Sequence, residues 1–147
     1  MKQLDIRIKL LRNNIEAPTY AHIGDAGLDL RSAIDVVLQP FERAIVPCGF
    51  SIAIPEGYAG LVLPRSGLAT KHGITVPNSP GLIDSGYRGE MMVSLQNLDA
   101  NAAYTIDVGM RIAQLVIIET PNVNLIHVDE LEDTERGFGG FGSSGLN

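Results

Sequence analysis

The chain has 147 residues, 45% of them hydrophobic and 19% charged, with a formal net charge of −6. That balance fits one domain (residues 1–147) with a sizeable core and excludes a disordered chain. The acidic total argues against a nucleic-acid groove, which needs clustered Lys and Arg, but leaves room for a small anionic ligand held by a few local donors.

In chain order, the opening M-K-Q-L-D-I-R-I-K-L interleaves charge with apolar residues and carries no signal-peptide core. Leu4, Ile6, Ile8 and Leu10 alternate with Asp5, Arg7 and Lys9, the period of two of a half-buried strand. Residues 17–27, with Pro18, Gly24 and Gly27, read as a loop. A-G-L-D-L-R-S (26–32) follows as a strand with Leu28 and Leu30 on one side and Asp29 on the other. Residues 34–38 and 44–46 are β-rich runs split by Gln39 and Pro40. Cys48 is the only cysteine, so neither an internal disulfide nor a cysteine-based metal site is available, and a reducing, cytoplasmic setting is expected. Phe50, Ile52 and Ile54 alternate up to a Pro55–Gly57 turn, and residues 58–63 form another strand ended by Pro64.

Residues 64–74 (P-R-S-G-L-A-T-K-H-G-I) are polar and Gly-punctuated and read as a loop. The stretch N-S-P-G-L-I-D-S-G-Y-R-G-E-M-M-V-S-L-Q-N (78–97) reads as a β-hairpin, two strand-like runs around a glycine-punctuated turn that holds one acid, Asp84. Residues 104–106 make a short strand and 107–109 a turn. R-I-A-Q-L-V-I-I (111–118) is apolar enough to predict burial on both faces, yet far too short to span a bilayer. No segment gives ten residues of clean helical periodicity. Many short strands at close spacing predict an all-β sandwich or barrel of antiparallel strands. From about residue 134 the Gly and Ser content predicts a flexible C-terminal arm (134–147).

Three stretches could carry chemistry. Asp84 is either a turn-capping aspartate or a positioned base, and its own neighbourhood favours the former. The arm contains G-F-G-G-F-G (137–142), which matches G-x-G-x-x-G but lacks the strand, helix and downstream acid of a dinucleotide site; no Lys follows it as a P-loop would require. It can be a plain flexible tail. Alternatively its backbone N–H groups, with Arg136, the hydroxyls of Ser143 and Ser144 and the ring of Phe141, can cradle phosphate and stack on a base. P-R-S-G (64–67) can be a polar turn or a second phosphate loop. His22, His72 and His127 show no metal-ligand spacing.

Five stretches in this order, A-G-L-D-L-R-S (26–32), P-R-S-G-L-A (64–69), G-L-I-D-S-G-Y-R-G-E (81–90), R-I-A-Q-L (111–115) and R-G-F-G-G-F-G-S-S-G (136–145), resemble the motifs of the trimeric dUTP diphosphatase (dUTPase) family. The resemblance covers nearly the whole chain. It implies a jelly-roll-like β fold, a homotrimer with shared active sites, and hydrolysis of dUTP to dUMP and diphosphate with Mg²⁺. Matched residue by residue, it implies Asp84 as the base that activates water and Tyr87 as the residue beneath the deoxyribose. Asn78, Leu82, Ile83 and Met92 would contact uracil. Arg65, Ser66, Gly67 and Gln114 would contact phosphates or metal-bound water, and Asp29 would stand near the metal's water shell without being a direct ligand. Arg136, Phe141, Gly142 and Ser143 would belong to an arm that closes over the nucleotide. The fifth motif carries Ser144 where many relatives carry Thr, which keeps the hydroxyl. A dCTP deaminase-like enzyme would lack this fifth motif, and a catalytically silent nucleotide-binding protein on the same scaffold is separable only by assay.

Overall fold

A computed structural model describes residues 3–147. It contains eleven short strands and one helix: β1 (Arg7–Leu10), β2 (Leu28–Arg31), β3 (Val36–Leu38), β4 (Arg43–Pro47), β5 (Phe50–Ala53), β6 (Tyr58–Leu63), α1 (Ser66–His72), β7 (Ile74–Thr75), β8 (Gly81–Ile83), β9 (Met92–Asn97), β10 (Tyr104–Ile106) and β11 (Arg111–Glu119). All pairings are antiparallel. The strands form sheets ordered β2-β11-β6-β8 and β4-β9-β7, with β1-β5 and β10-β3 as two-stranded ribbons. This is a sandwich of sheets and not a closed barrel. Among the described residues, no helix is long and apolar enough to cross a membrane.

One apolar cluster draws on every layer: Leu30, Val62, Ile112 and Leu115 from the larger sheet, Val46, Ile74, Val93 and Leu95 from the three-stranded one, and Leu38, Phe50 and Ile106 from the ribbons. Alternation along each strand sends these side chains inward while their neighbours point out. Cys48 lies in the same core. Burial pushes its thiol up to about 12, and the nearby Glu90 carboxylate adds to the rise, so it packs as a small inert hydrophobe.

Four sequence expectations are corrected. The first strand begins at Arg7, and its four residues are all exposed; among the described residues its ladder partner is β5 alone. Residues 66–72, expected as loop, form a seven-residue helix, shorter than the ten-residue window in which helical periodicity is legible. Its one buried side chain is Leu68, and Gly73 ends it in the left-handed region (φ 68°) with Lys71 and His72 at the negative end of the helix dipole. The ring of His72 packs on Tyr104 at 4.9 Å between centroids. β11 is central in its sheet, paired with β2 and β6, but only Ile112, Ala113 and Leu115 are buried; Gln114, Val116, Ile117 and Ile118 stay half-exposed.

The fourth correction positions the site. Residues 78–97 are not a hydrogen-bonded hairpin: β8 pairs with β6, whereas β9 pairs with β4 and β7. The chain crosses from one sheet to the other between Ile83 and Met92. β9 is secured at its far end by Asn97, which is fully buried. The Asn97 amide donates to Leu38 O (3.0 Å) and Ala102 O (2.8 Å), and its Oδ1 accepts the Asp99 N–H (2.9 Å). Asp99 in turn caps the bend by accepting the N–H groups of Asn101 and Ala102, which holds its carboxyl below the usual range. Replacing Asn97 by Ala strands the buried Leu38 carbonyl and removes two part-buried bonds, and is expected to cost about 1–3 kcal/mol. In urea unfolding this appears as a lower midpoint at unchanged slope.

Candidate active site

Between the two sheets, Asn78, Leu82, Ile83, Asp84, Tyr87 and Met92 line one pocket of about 330 Å³ together with Ile45 and Ser94. That is the small end of the ~300–1,000 Å³ range of ligand clefts. Ile45 and Ser94 are a cross-strand pair of β4 and β9, so the two extra lining residues are adjacent in the ladder. The rim is apolar and open: Leu82, Tyr87, Met92 and Ile45 all leave much of their surface exposed. Asn78 lies over Gly81, where an added Cβ would come 3.2 Å from the Asn78 amide nitrogen.

The pocket exists because β8 and β9 do not zip together. β8 is an edge strand, and its ladder partner β6 takes up only one side of its backbone. β9 is paired with β4 along its length, but with β7 only at Gln96 and Asn97. Among the described residues, each strand therefore brings a stretch of backbone N–H and C=O groups without a ladder partner to the region that both line.

Asp84 follows β8 directly and is exposed. Its own carbonyl accepts the Tyr87 N–H (3.1 Å), which closes the turn. The Arg88 guanidinium donates back to the carbonyls of Ser85 (2.6 Å) and Tyr87 (3.0 Å), so the turn's outward carbonyls are tied down. The Tyr87 hydroxyl donates to Glu90 O (2.8 Å). The carboxylate of Asp84 is thus carried by a braced turn at the mouth of an apolar pocket, exposed and able to accept a hydrogen bond from a bound molecule.

A second group sits where β6 runs into α1. Gln114 pairs with Asp29 on one side and with Leu63 on the other. Its amide donates to Pro64 O (3.0 Å), and Arg65 donates to Arg111 O (3.0 Å). Arg111 also contacts Asp29 at 3.3 Å, a partly exposed pair worth little to stability. Gly27 is needed for space, since a Cβ there would lie 2.6 Å from Gln114 Oε1. Ser66 and Gly67 are exposed in the first turn of α1, where backbone N–H groups have no acceptor within the helix. Among the described residues, no group of three or more His, Cys, Asp or Glu side chains is placed to hold a metal ion.

The arm forms a third group. Arg136 donates to Gly139 O (2.8 Å), and the turns of residues 134–145 are closed by bonds inside the arm. Phe141, Gly142 and Ser143 are exposed. The sequence-derived site residues therefore fall into three sets within one chain: the pocket set, the set of Asp29, Arg65, Ser66, Gly67 and Gln114, and the arm set. Neither of the last two lines the pocket. Sequence reasoning missed Ile45 and Ser94, whose facing positions only strand register reveals. It also missed Arg111, which joins Asp29 to Arg65 and is visible in sequence merely as one more surface cation.

A family model described as dUTPase matches residues 13–145. The chain is 56% identical over 128 residues to the deoxyuridine 5'-triphosphate nucleotidohydrolase of Leifsonia xyli subsp. xyli, which covers 87% of this chain and 84% of that protein. Among solved structures it is similar to the Staphylococcus bacteriophage 80alpha dUTPase with dUpNHpp. The TM-score there is 0.90 at 35% identity, covering 98% of this chain and 100% of that one. It is also similar to a mutant dUTPase of phage phi11 of S. aureus in which a structural Mg(II) ion is coordinated. In that case the TM-score is 0.82 at 30% identity, covering 88% of this chain and 100% of that one.

Proposed function

The chain belongs to the dUTPase family, and from that membership we propose that it hydrolyses dUTP to dUMP and diphosphate. The observation that carries the proposal is the pocket itself: six residues matched to the family's base, sugar and nucleophile positions line one apolar cleft, with a carboxylate at its rim. Asp84 accepts a proton from water as that water's oxygen bonds to the α-phosphorus. The bond from the α-phosphorus to the bridging oxygen breaks, and diphosphate leaves with the electron pair. Phosphoryl transfer needs little covalent help beyond this; positioning and charge stabilisation supply the rest.

Base selection rests on the unpaired backbone of β8 and β9. Uracil shows two carbonyl acceptors around one N–H donor, which fixed N–H and C=O groups can match. Cytosine would leave buried groups unpaired, a larger penalty than a lost contact. Tyr87 lies beneath the deoxyribose and excludes a 2′-hydroxyl by contact. Arg65, Ser66, Gly67 and Gln114 hold phosphate oxygens. Arg136 and the arm, residues 134–147, close over the nucleotide with Phe141 on the base and Gly142 and Ser143 at the phosphates.

Mg²⁺ would be held by the substrate's phosphates and water, with Asp29, which is 3.3 Å from the Arg111 guanidinium, orienting that water and no side chain ligating the ion directly. When bound, it offsets the charge that gathers on the phosphates. Within one chain only the first of the three residue groups lines the pocket, which supports a homotrimer whose sites are completed by neighbouring copies. The lone buried thiol suits work in the cytoplasm.

The deciding measurement is diphosphate release from dUTP, dTTP, dCTP and UTP with Mg²⁺. Turnover of dUTP alone is expected; equal turnover of UTP or dCTP, or none of any, would sink the proposal. Asp84→Asn is expected to keep nucleotide affinity while kcat falls by about 10²–10⁴, and wild-type turnover in that variant removes Asp84 as the base. Deleting residues 136–147 should cut kcat/KM for dUTP by about tenfold or more at unchanged oligomeric mass; normal hydrolysis by the truncated chain rules out a closing arm.

A further inference from the structure

Resting on this functional assignment, we propose that Glu90 is a positioning residue that sets the ring of Tyr87 and through it the discrimination between deoxyribose and ribose. Tyr87 is 42% exposed, so core packing alone does not hold its ring. Two local contacts do. The hydroxyl is bonded to the Glu90 carbonyl at 2.8 Å, and the ring lies against the bare backbone of Gly89. A Cβ on Gly89 would sit 2.4 Å from the Tyr87 hydroxyl oxygen and 2.6 Å from the ring carbon bearing it.

The carbonyl that takes the hydroxyl is itself anchored. Glu90 Oε1 accepts the Gly49 N–H at 3.0 Å and stands 3.6 Å from the Arg12 guanidinium. Gly49 is itself held in place, since its carbonyl accepts the Leu11 N–H at 2.8 Å, and its φ of +79° and the Ile15 side chain beside it leave no room for a Cβ. On the other side of Glu90, the Met91 N–H is bonded to Phe50 O at 2.7 Å. The Glu90 carbonyl is therefore held between side chain and following amide, and the Tyr87 hydroxyl is aimed at a fixed acceptor. The Gly49 bond is the strong part of this anchor. The Arg12 contact, long and half-exposed, adds little.

The test compares kcat/KM for dUTP and UTP in the unaltered protein, Glu90→Gln, Glu90→Ala and Tyr87→Phe. Gln keeps an oxygen for the Gly49 N–H and is expected to keep the wild-type dUTP/UTP ratio within about twofold. Glu90→Ala and Tyr87→Phe are each expected to lower that ratio by about tenfold, through KM more than kcat. The double variant should be no worse than either single, because both break one device. A residue that merely supports the fold would lower activity on both nucleotides alike and leave the ratio unchanged. If Glu90→Ala does not fold, Gly89→Ala serves in its place, since it displaces the same ring from the other side. A wild-type ratio in Glu90→Ala or Gly89→Ala, with dUTP still hydrolysed by the unaltered protein, overturns the positioning role alone. Absence of dUTP turnover in the unaltered protein overturns the functional assignment and the sugar role with it.

Discussion

Two backbone hydrogen bonds at Met91 govern the site. Cys48 N–H donates to Met91 O, and Met91 N–H donates to Phe50 O, both near 2.8 Å, at a residue that is 1% exposed. They commit the chain leaving the Asp84 turn to β4 and β5 instead of letting it fold back on β8. An ordinary hairpin of residues 81–97 would instead have satisfied these backbone groups by each other. The slot between β8 and β9 is what that diversion leaves behind. Unpaired strand edges are normally a liability; here they are short, confined to a concave site, and usable as a row of fixed donors and acceptors.

The same diversion explains why the Asp84–Glu90 segment is so heavily braced. A turn that spans two sheets receives no ladder support, so its geometry must come from side chains. Arg88 holds the carbonyls of Ser85 and Tyr87, the Tyr87 hydroxyl holds Glu90 O, and the Glu90 carboxylate holds Gly49 N–H. Each is a single hydrogen bond of modest net worth. Together they fix the backbone that carries a carboxylate and an aromatic ring at opposite ends of one turn, the kind of pre-organisation that the proposed roles of Asp84 and Tyr87 require. The group around Gln114 and Arg65 obeys the same logic at the end of β11. There Gln114 and Arg111 tie β2, Pro64 and Arg65 into one unit, and Gly27 is small because the Gln114 side chain occupies the space.

Much of the fold was legible from local pattern. The strand 58–63 is readable to the residue because Gly57 and Pro64 mark both its limits, and 104–106 because an Asp107–Gly109 turn follows it. The seven-residue helix escaped because it is too short to express a period, although K-H-G at its end is a stop signal. The hairpin at 78–97 was misread for a deeper reason: two strands around a turn look the same in sequence whether they pair with each other or with third parties. At the site, Asn78, Leu82, Ile83, Asp84, Tyr87 and Met92 were all identifiable from one contiguous stretch, and the structure brings them together. Ile45 was not, since its only mark is an outward parity between Ala44 and Val46.

The sequence by itself determined the class of structure and the family. Residue alternation, turn chemistry and five ordered motifs are local properties, and local properties survive without coordinates. Tertiary structure alone decided which strands pair, and hence that the pocket is a gap between sheets and not a hairpin loop. It also decided that Glu90, unremarkable at the end of its motif, is bound to Gly49 across 41 positions of chain. Pairing is chosen by the burial of distant apolar faces against one another, a non-local sum that no single stretch of residues encodes.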